Sequence, residues 1–264
     1  MKEETKRIPI LQLTEQGTSK IEDIVVREFP LTIFLNDQEL VTLLCSPTNL
    51  KYLVIGFLLS EGLIKGKGDI KKIIVDDQKG VVLVEAEENK GFSGQFLFKR
   101  LVTSGGGREA SFRSAPDAKC QAKVESEIEI SSNVVFSLMD DFVHRSEVFK
   151  ATGGVHSAAL CDKKGILIFN EDIGRHNAID KIFGECTLKD IPTDDRIAIT
   201  SGRISSEILL KVAKRNIPVL ISKSAPTDLG VKVANDLGVT IIGFVRGRRM
   251  NIYTHSRRIA ANGE

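Results

Sequence analysis

From Lys150 to the C-terminus the chain alternates short, β-branched apolar runs with helical stretches, which restricts it to layered α/β architectures. Ser157–Cys161, Ile166–Asn170, Arg196–Thr200, Pro218–Ser222, Thr240–Val245 and Met250–Tyr253 have the length and composition of strands. Arg175–Glu185, Ser205–Arg215 and Asp228–Leu237 read as the helices between them, with turns at Asp162–Gly165 and Leu237-Gly238. This pattern predicts a three-layer α/β/α domain around a largely parallel sheet.

The first half has a different texture. Ile24–Leu35 and Leu40–Cys45 read as strands around a turn at Asn36-Asp37. Ser46-Pro47 suits the start of a helix running to Leu63 and apolar on most sides. A hairpin, Ile70–Val75 with Val81–Ala86, follows, and then a strand at Gln95–Val102. The stretch 103–124 holds three consecutive glycines and no period, and a segment of this kind is usually functional or disordered. After it, Ser131-Ser132 caps a helix to about Glu147. The expected division is a smaller N-terminal α+β domain, 1–130, and a C-terminal α/β/α domain, 131–264.

Net charge is +2, but residues 243–258 carry five arginines (246, 248, 249, 257 and 258) and no acid. That is a local anion site rather than a nucleic-acid surface. No apolar run approaches the ~20 residues of a membrane span, and the charged N-terminus lacks a secretory pattern, so a cytoplasmic protein is expected. Cys45, Cys120, Cys161 and Cys186 stand apart, which argues against both a disulfide framework and a structural zinc site.

In α/β sheets, ligands collect beyond the carboxyl ends of the strands. The loops there share one chemistry: Thr152–His156, Glu171–His176, Thr200–Arg203, Ser222–Thr227 and Arg246–Arg249. Glycines admit backbone N–H groups, hydroxyls and helix N-termini donate to phosphate, and arginine forks pair with it. The candidate contacts are His156, Arg175, His176, Ser201, Ser222, Ser224 and Thr227, then Phe244, Val245, Arg246, Gly247, Arg248 and Arg249, and finally Tyr253 and His255. Each has a plainer alternative: helix capping for Ser222–Thr227, a solvated or satisfied ring for His176, solvated side chains for Arg257 and Arg258. Cys120, between Lys119 and Lys123, is the one thiol outside an apolar or helical context, and nearby positive charge favours its thiolate.

Taken in order, these stretches resemble the formate dehydrogenase accessory protein family FdhD. The resemblance runs through Glu28–Asn36, Gly56–Ile64, Thr152–Ala159, Glu171–Lys181, Thr200–Arg203, Ser222–Thr227, Gly243–Arg249 and Tyr253–His255. It implies a sulfur carrier that accepts sulfur from a cysteine desulfurase as a persulfide. The sulfur then passes to molybdenum bound by bis(molybdopterin guanine dinucleotide), for use by formate dehydrogenase. It further implies a cytidine deaminase-like C-terminal domain, a homodimer, cofactor contacts at Phe244–Arg249, and GDP or GTP as ligand mimics. The chain departs from the family at Thr103–Glu109, where one or two cysteines are usual and none stands here. Either Cys120 substitutes as the persulfide nucleophile, or this member is a cofactor-binding chaperone without sulfur transfer. A zinc deaminase is a weak rival, since His156 is not followed by the His-x-Glu glutamate and no Pro-Cys-x-x-Cys exists.

Overall fold

The computed structural model describes residues 4–87, the backbone of 101–102, and 122–260. The first strands are β1 (Thr5–Thr14), β2 (Gly17–Val26), β3 (Phe29–Leu35) and β4 (Gln38–Cys45), followed by α1 (Leu50–Ser60). Next come β5 (Ile70–Asp76), β6 (Val81–Ala86), β7 (Leu101–Val102), β8 (Ile130–Ser131), α2 (Ser132–Arg145) and α3 (Glu147–Thr152). The rest alternates: β9 (His156–Cys161), β10 (Ile166–Asp172), α4 (Arg175–Leu188), β11 (Ile197–Thr200), α5 (Ser206–Lys214) and β12 (Val219–Ser222). It ends with α6 (Asp228–Leu237), β13 (Thr240–Arg246), β14 (Arg249–Ile252) and β15 (Ile259–Ala260).

The second half is a six-stranded sheet in the order β10-β9-β11-β12-β13-β14. Three layers form because its strands bury both faces. Ala158, Leu160, Ala198, Leu220 and Ile241 pack under α4, α5 and α6, whereas the alternate residues Ala159, Ile199, Ile221 and Ile242 pack under α2. The sheet is mixed, not largely parallel. Only the β11–β12 and β12–β13 pairs are parallel, while β10 with β9, β9 with β11, and β13 with β14 pair antiparallel. Hairpins at Asp162–Gly165 and Gly247-Arg248 cause the difference, since a turn this short can only reverse the chain.

The first half holds a five-stranded sheet, β5-β6-β3-β4-β7, with α1 on one face. Helices α1 and α4 then pack back to back. A Cβ at Gly56 would sit 1.8 Å from the Asp180 carbonyl oxygen, and one at Gly184 1.9 Å from that of Tyr52. Only glycine permits this approach.

Several local expectations are corrected. Residues 5–26 form a separate hairpin, β1–β2, and the strand read as Ile24–Leu35 breaks between Val26 and Phe29. Ser46 does not cap α1; its N–H donates to Asp172 and its hydroxyl accepts from the Ile173 N–H, while Asn49 at φ 55° begins the helix. The helix beginning at Ser132 stops at Arg145 and restarts as α3, because the Glu171 carboxylate takes the Val148 and Phe149 N–H groups. Arg258 is not solvated: it is 2% exposed and donates to the carbonyls of Gly238 and Ser126. The strand expected from Gln95 is described only at 101–102, and residues 103–121, Cys120 among them, lie outside the described residues.

Candidate functional site

Antiparallel entry of β9 brings its beginning to the edge where β11, β12 and β13 end. In register, His156 lies opposite Asp172, Ala158 opposite Thr200, and Thr200 opposite Ser222. The five expected loops therefore meet along one sheet edge. A cavity of about 430 Å³ opens there. His156, Ser201, Lys223, Ser224 and Arg246 supply its polar wall, and Phe142, Phe149 and Val155 its apolar one. Gly153 and Gly154 also line it, and Gly153 at φ 65° ends α3 in the left-handed conformation. Two cations, the four serine hydroxyls of Ser146, Ser157, Ser201 and Ser224, an imidazole and an apolar wall suit a ligand with a phosphate and a flat ring.

Four expected residues thus come together directly: His156, Ser201, Ser224 and Arg246. Ser222 is fully buried beneath them, donating to the Gly202 carbonyl at 2.7 Å and accepting from the Ser224 N–H at 2.9 Å. Thr227 accepts from the Gly230 N–H as the cap of α6. Arg175 lies across Gly202, where an added Cβ would be 3.0 Å from its side chain. His176 sits behind the edge, 4.0 Å from Glu207. Burial first, then Lys211 and Arg175, push its pKa down to about 2, so its ring is neutral.

The basic hairpin divides by residue. Phe244 sits at φ 53°, unusual for a bulky side chain, and its N–H donates to the Ser224 carbonyl at 3.0 Å. Val245 is a core residue, 1% exposed and packed in the cluster under α2. Gly247, at φ 56°, makes the turn. Arg248 lies 5.7 Å from the Phe136 ring, and Arg249 pairs with Arg246 across the hairpin. Neither lines the cavity. Tyr253 packs its ring against Gly243, while its N–H donates to Ile241. His255 stands at the opposite edge of the sheet, its Nε2 3.2 Å from the Asn235 carbonyl and its carbonyl bonded to Thr240, at the start of β13.

Sequence reasoning passed over Lys223, whose place between two site serines was the available signal, and the aromatic wall from α2 and α3. The three described cysteines are fully buried. Burial is the first cause pushing each thiol pKa up. Among the described residues, no group of three or more His, Cys, Asp or Glu is placed to hold a metal, and no helix is long and apolar enough to cross a membrane.

Comparison with known proteins agrees with the motifs. Residues 26–260 match the model of the FdhD/NarQ family. Over 237 residues the chain is 46% identical to a protein of Bacillus pumilus named sulfur carrier protein FdhD, covering 90% of each. It is 45% identical to the protein of that name in Bacillus subtilis, over 93% of this chain and 94% of that one. A crystal structure from Desulfotalea psychrophila, described as a formate dehydrogenase accessory protein, superposes with a TM-score of 0.81 at 25% identity, covering 97% of this chain and 99% of that one. With the family model spanning both sheets and every loop of the cavity, the chain belongs to the FdhD/NarQ family.

Proposed function

We propose that this chain is a formate dehydrogenase accessory factor and sulfur carrier that holds the phosphate-bearing bis(molybdopterin guanine dinucleotide) molybdenum cofactor, as its client, at the edge formed by β9, β11, β12 and β13. The supporting observation is the convergence of His156, Ser201, Lys223, Ser224 and Arg246 on one cavity with an apolar wall. Its volume of about 430 Å³ suits a nucleotide-sized part of that client. GDP and GTP are the natural mimics. The reading includes a cytoplasmic homodimer that receives sulfur from a cysteine desulfurase.

Sulfur loading falls to Cys120, because Cys45, Cys161 and Cys186 are buried thiols kept protonated. In the loading step the Cys120 thiolate attacks the outer sulfur of a desulfurase persulfide. A new S–S bond forms as the donor's breaks, and the donor cysteine leaves as its thiolate, so no oxidant enters. The test is intact mass before and after incubation with a desulfurase and free cysteine, followed by peptide mapping and a Cys120→Ser control. Expected is one added sulfur, lost in the variant. Sulfur on Cys45 or Cys161 would refute the assignment, and a chain that takes none would be a cofactor-binding chaperone.

A further inference from the structure

Ser201 follows β11, and two bonds tie it to Ser157. Its N–H donates to the Ser157 carbonyl at 3.0 Å, and its Oγ accepts from the Ser157 N–H at 3.0 Å. The hydroxyl is therefore fixed with one proton to give. His156 Nδ1 lies 3.2 Å away, and among the described residues no other acceptor is bonded to that hydroxyl. Were Nδ1 the donor instead, Oγ would take two N–H groups and leave its own proton without a bond inside a half-buried site. With the hydroxyl donating, Nδ1 carries no proton and Nε2 carries the ring's single one.

We propose that Ser201 is a positioning residue that locks His156 as its Nε2–H tautomer, giving the cavity a neutral N–H donor for a phosphate or carbonyl oxygen of the ligand. The inference rests on the reading of the cavity as a nucleotide site. The surrounding charges agree with a neutral ring. Burial first, then Arg175 from α4 and Arg203 from the loop after β11, push the His156 pKa down, with Asp172 of β10 opposing. Lys223 and Arg246 line the same cavity, and an imidazolium beside them would add repulsion rather than a further contact. Arg246 and Lys223 thus supply the charge, and His156 supplies direction. A fixed donor loses little freedom on binding.

Two measurements on the full-length protein test this. In the ligand-free protein labelled with ¹⁵N-histidine, the His156 Nδ1 signal is expected at the position of an unprotonated acceptor and Nε2 at that of a protonated nitrogen. The reverse pattern would overturn the proposal. Calorimetric titration with GDP then reads function. Ser201→Ala is expected to weaken binding up to about 10-fold, the worth of one neutral hydrogen bond. Ser201→Thr, which keeps the hydroxyl, should bind like wild type. In a His156→Gln background Ser201→Ala should cost nothing further, because its effect passes through the imidazole. Additive losses would mean that Ser201 touches the ligand itself, which overturns the positioning role. A wild-type protein that binds no GDP would sink the nucleotide-site reading instead, while the nitrogen shifts still decide the lock.

Discussion

The arginine hairpin allows a sharp test of the cavity, because residues two positions apart have different surroundings. Arg246 lines the cavity, its guanidinium 5.9 Å from the partly exposed Phe244 ring. Arg248 lies outside the lining, 5.7 Å from Phe136 on α2. A charge-assisted contact from guanidinium to phosphate is worth about 1.5–3 kcal/mol, and about 1.4 kcal/mol is tenfold in affinity. Because Arg246 is exposed, the lower end applies, and Arg246→Ala should weaken GDP binding about 10-fold. Arg248→Ala and Arg249→Ala should each stay within about 2-fold, having lost no contact in the cavity. Calorimetry at fixed ionic strength, with melting curves to check folding, makes the comparison. The gap between wild type and Arg246→Ala should narrow in high salt as the contact is screened. Unchanged affinity in Arg246→Ala, or an equal loss in Arg248→Ala, would show that phosphate does not bind where the cavity lies.

Gly56→Ala sets a Cβ 1.8 Å from the Asp180 carbonyl, so α1 and α4 must part by about 1.6 Å to regain a 3.4 Å contact. Overpacking against backbone should cost about 3 kcal/mol in urea unfolding, and a change below about 0.5 kcal/mol would refute the crossing. Lys181→Met leaves Asp172, fully buried and 2.8 Å from the ammonium, without its cation, and should lower stability by about 3 kcal/mol. A wild-type urea midpoint in that variant would mean that the N–H groups around Asp172 suffice alone. Because burial holds His176 at about 2 in the fold, the unfolded chain takes up a proton that the folded chain refuses. Its contribution is present above about pH 6.5 and is lost below it, by at most about 1.4 kcal/mol per pH unit. Stability curves from pH 7 to 5 should be shallower in His176→Gln; parallel curves would contradict a buried neutral ring.

What the sequence revealed follows the range of the forces involved. Strands such as Val219–Ser222 bury both faces, so a plain apolar run announces them. The hairpin β1–β2 escaped because most of it is exposed and its composition is mixed, leaving no clean alternation to read. The break between α2 and α3 was hidden for another reason. It depends on Glu171, more than twenty residues away, and the local pattern continues across Ser146. Strand direction likewise needs partners, so a β-α-β rhythm suggested more parallel pairing than the two hairpins permit. The site's loops were legible by chemistry, yet their division into lining and support was not. Ser222 and Ser224 stand two residues apart in one loop, and burial alone sends the first under the cavity and the second into its wall.

That division explains why the stretch Glu171–Lys181 carries so many polar residues while contributing so few to the cavity. Asp172 accepts from the N–H groups of Ser46 and Gly174 and from Asn177, and pairs with Lys181. Asn177 also donates to the Leu44 carbonyl, and Asp180 accepts from Ser60 of α1 and pairs with Lys211 of α5. The contacts of Asp172, Asn177 and Asp180 with Ser46, Leu44, Ser60 and Lys211 run from α4 or its entry loop to the first half of the chain or to the neighbouring helix, and the others brace the entry loop on α4. Buried polar groups that are fully partnered fix one arrangement, since any slip leaves several unpaired at once. The same loop sets Arg175 against Gly202 and Glu171 under α3, which carry the charge beside His156 and the aromatic wall, respectively. Among the described residues, the first half of the chain thus acts on the cavity without lining it. A substitution at Ser46, Asn177 or Ser60 should therefore disturb ligand affinity through the position of α4, in proportion to the stability it removes.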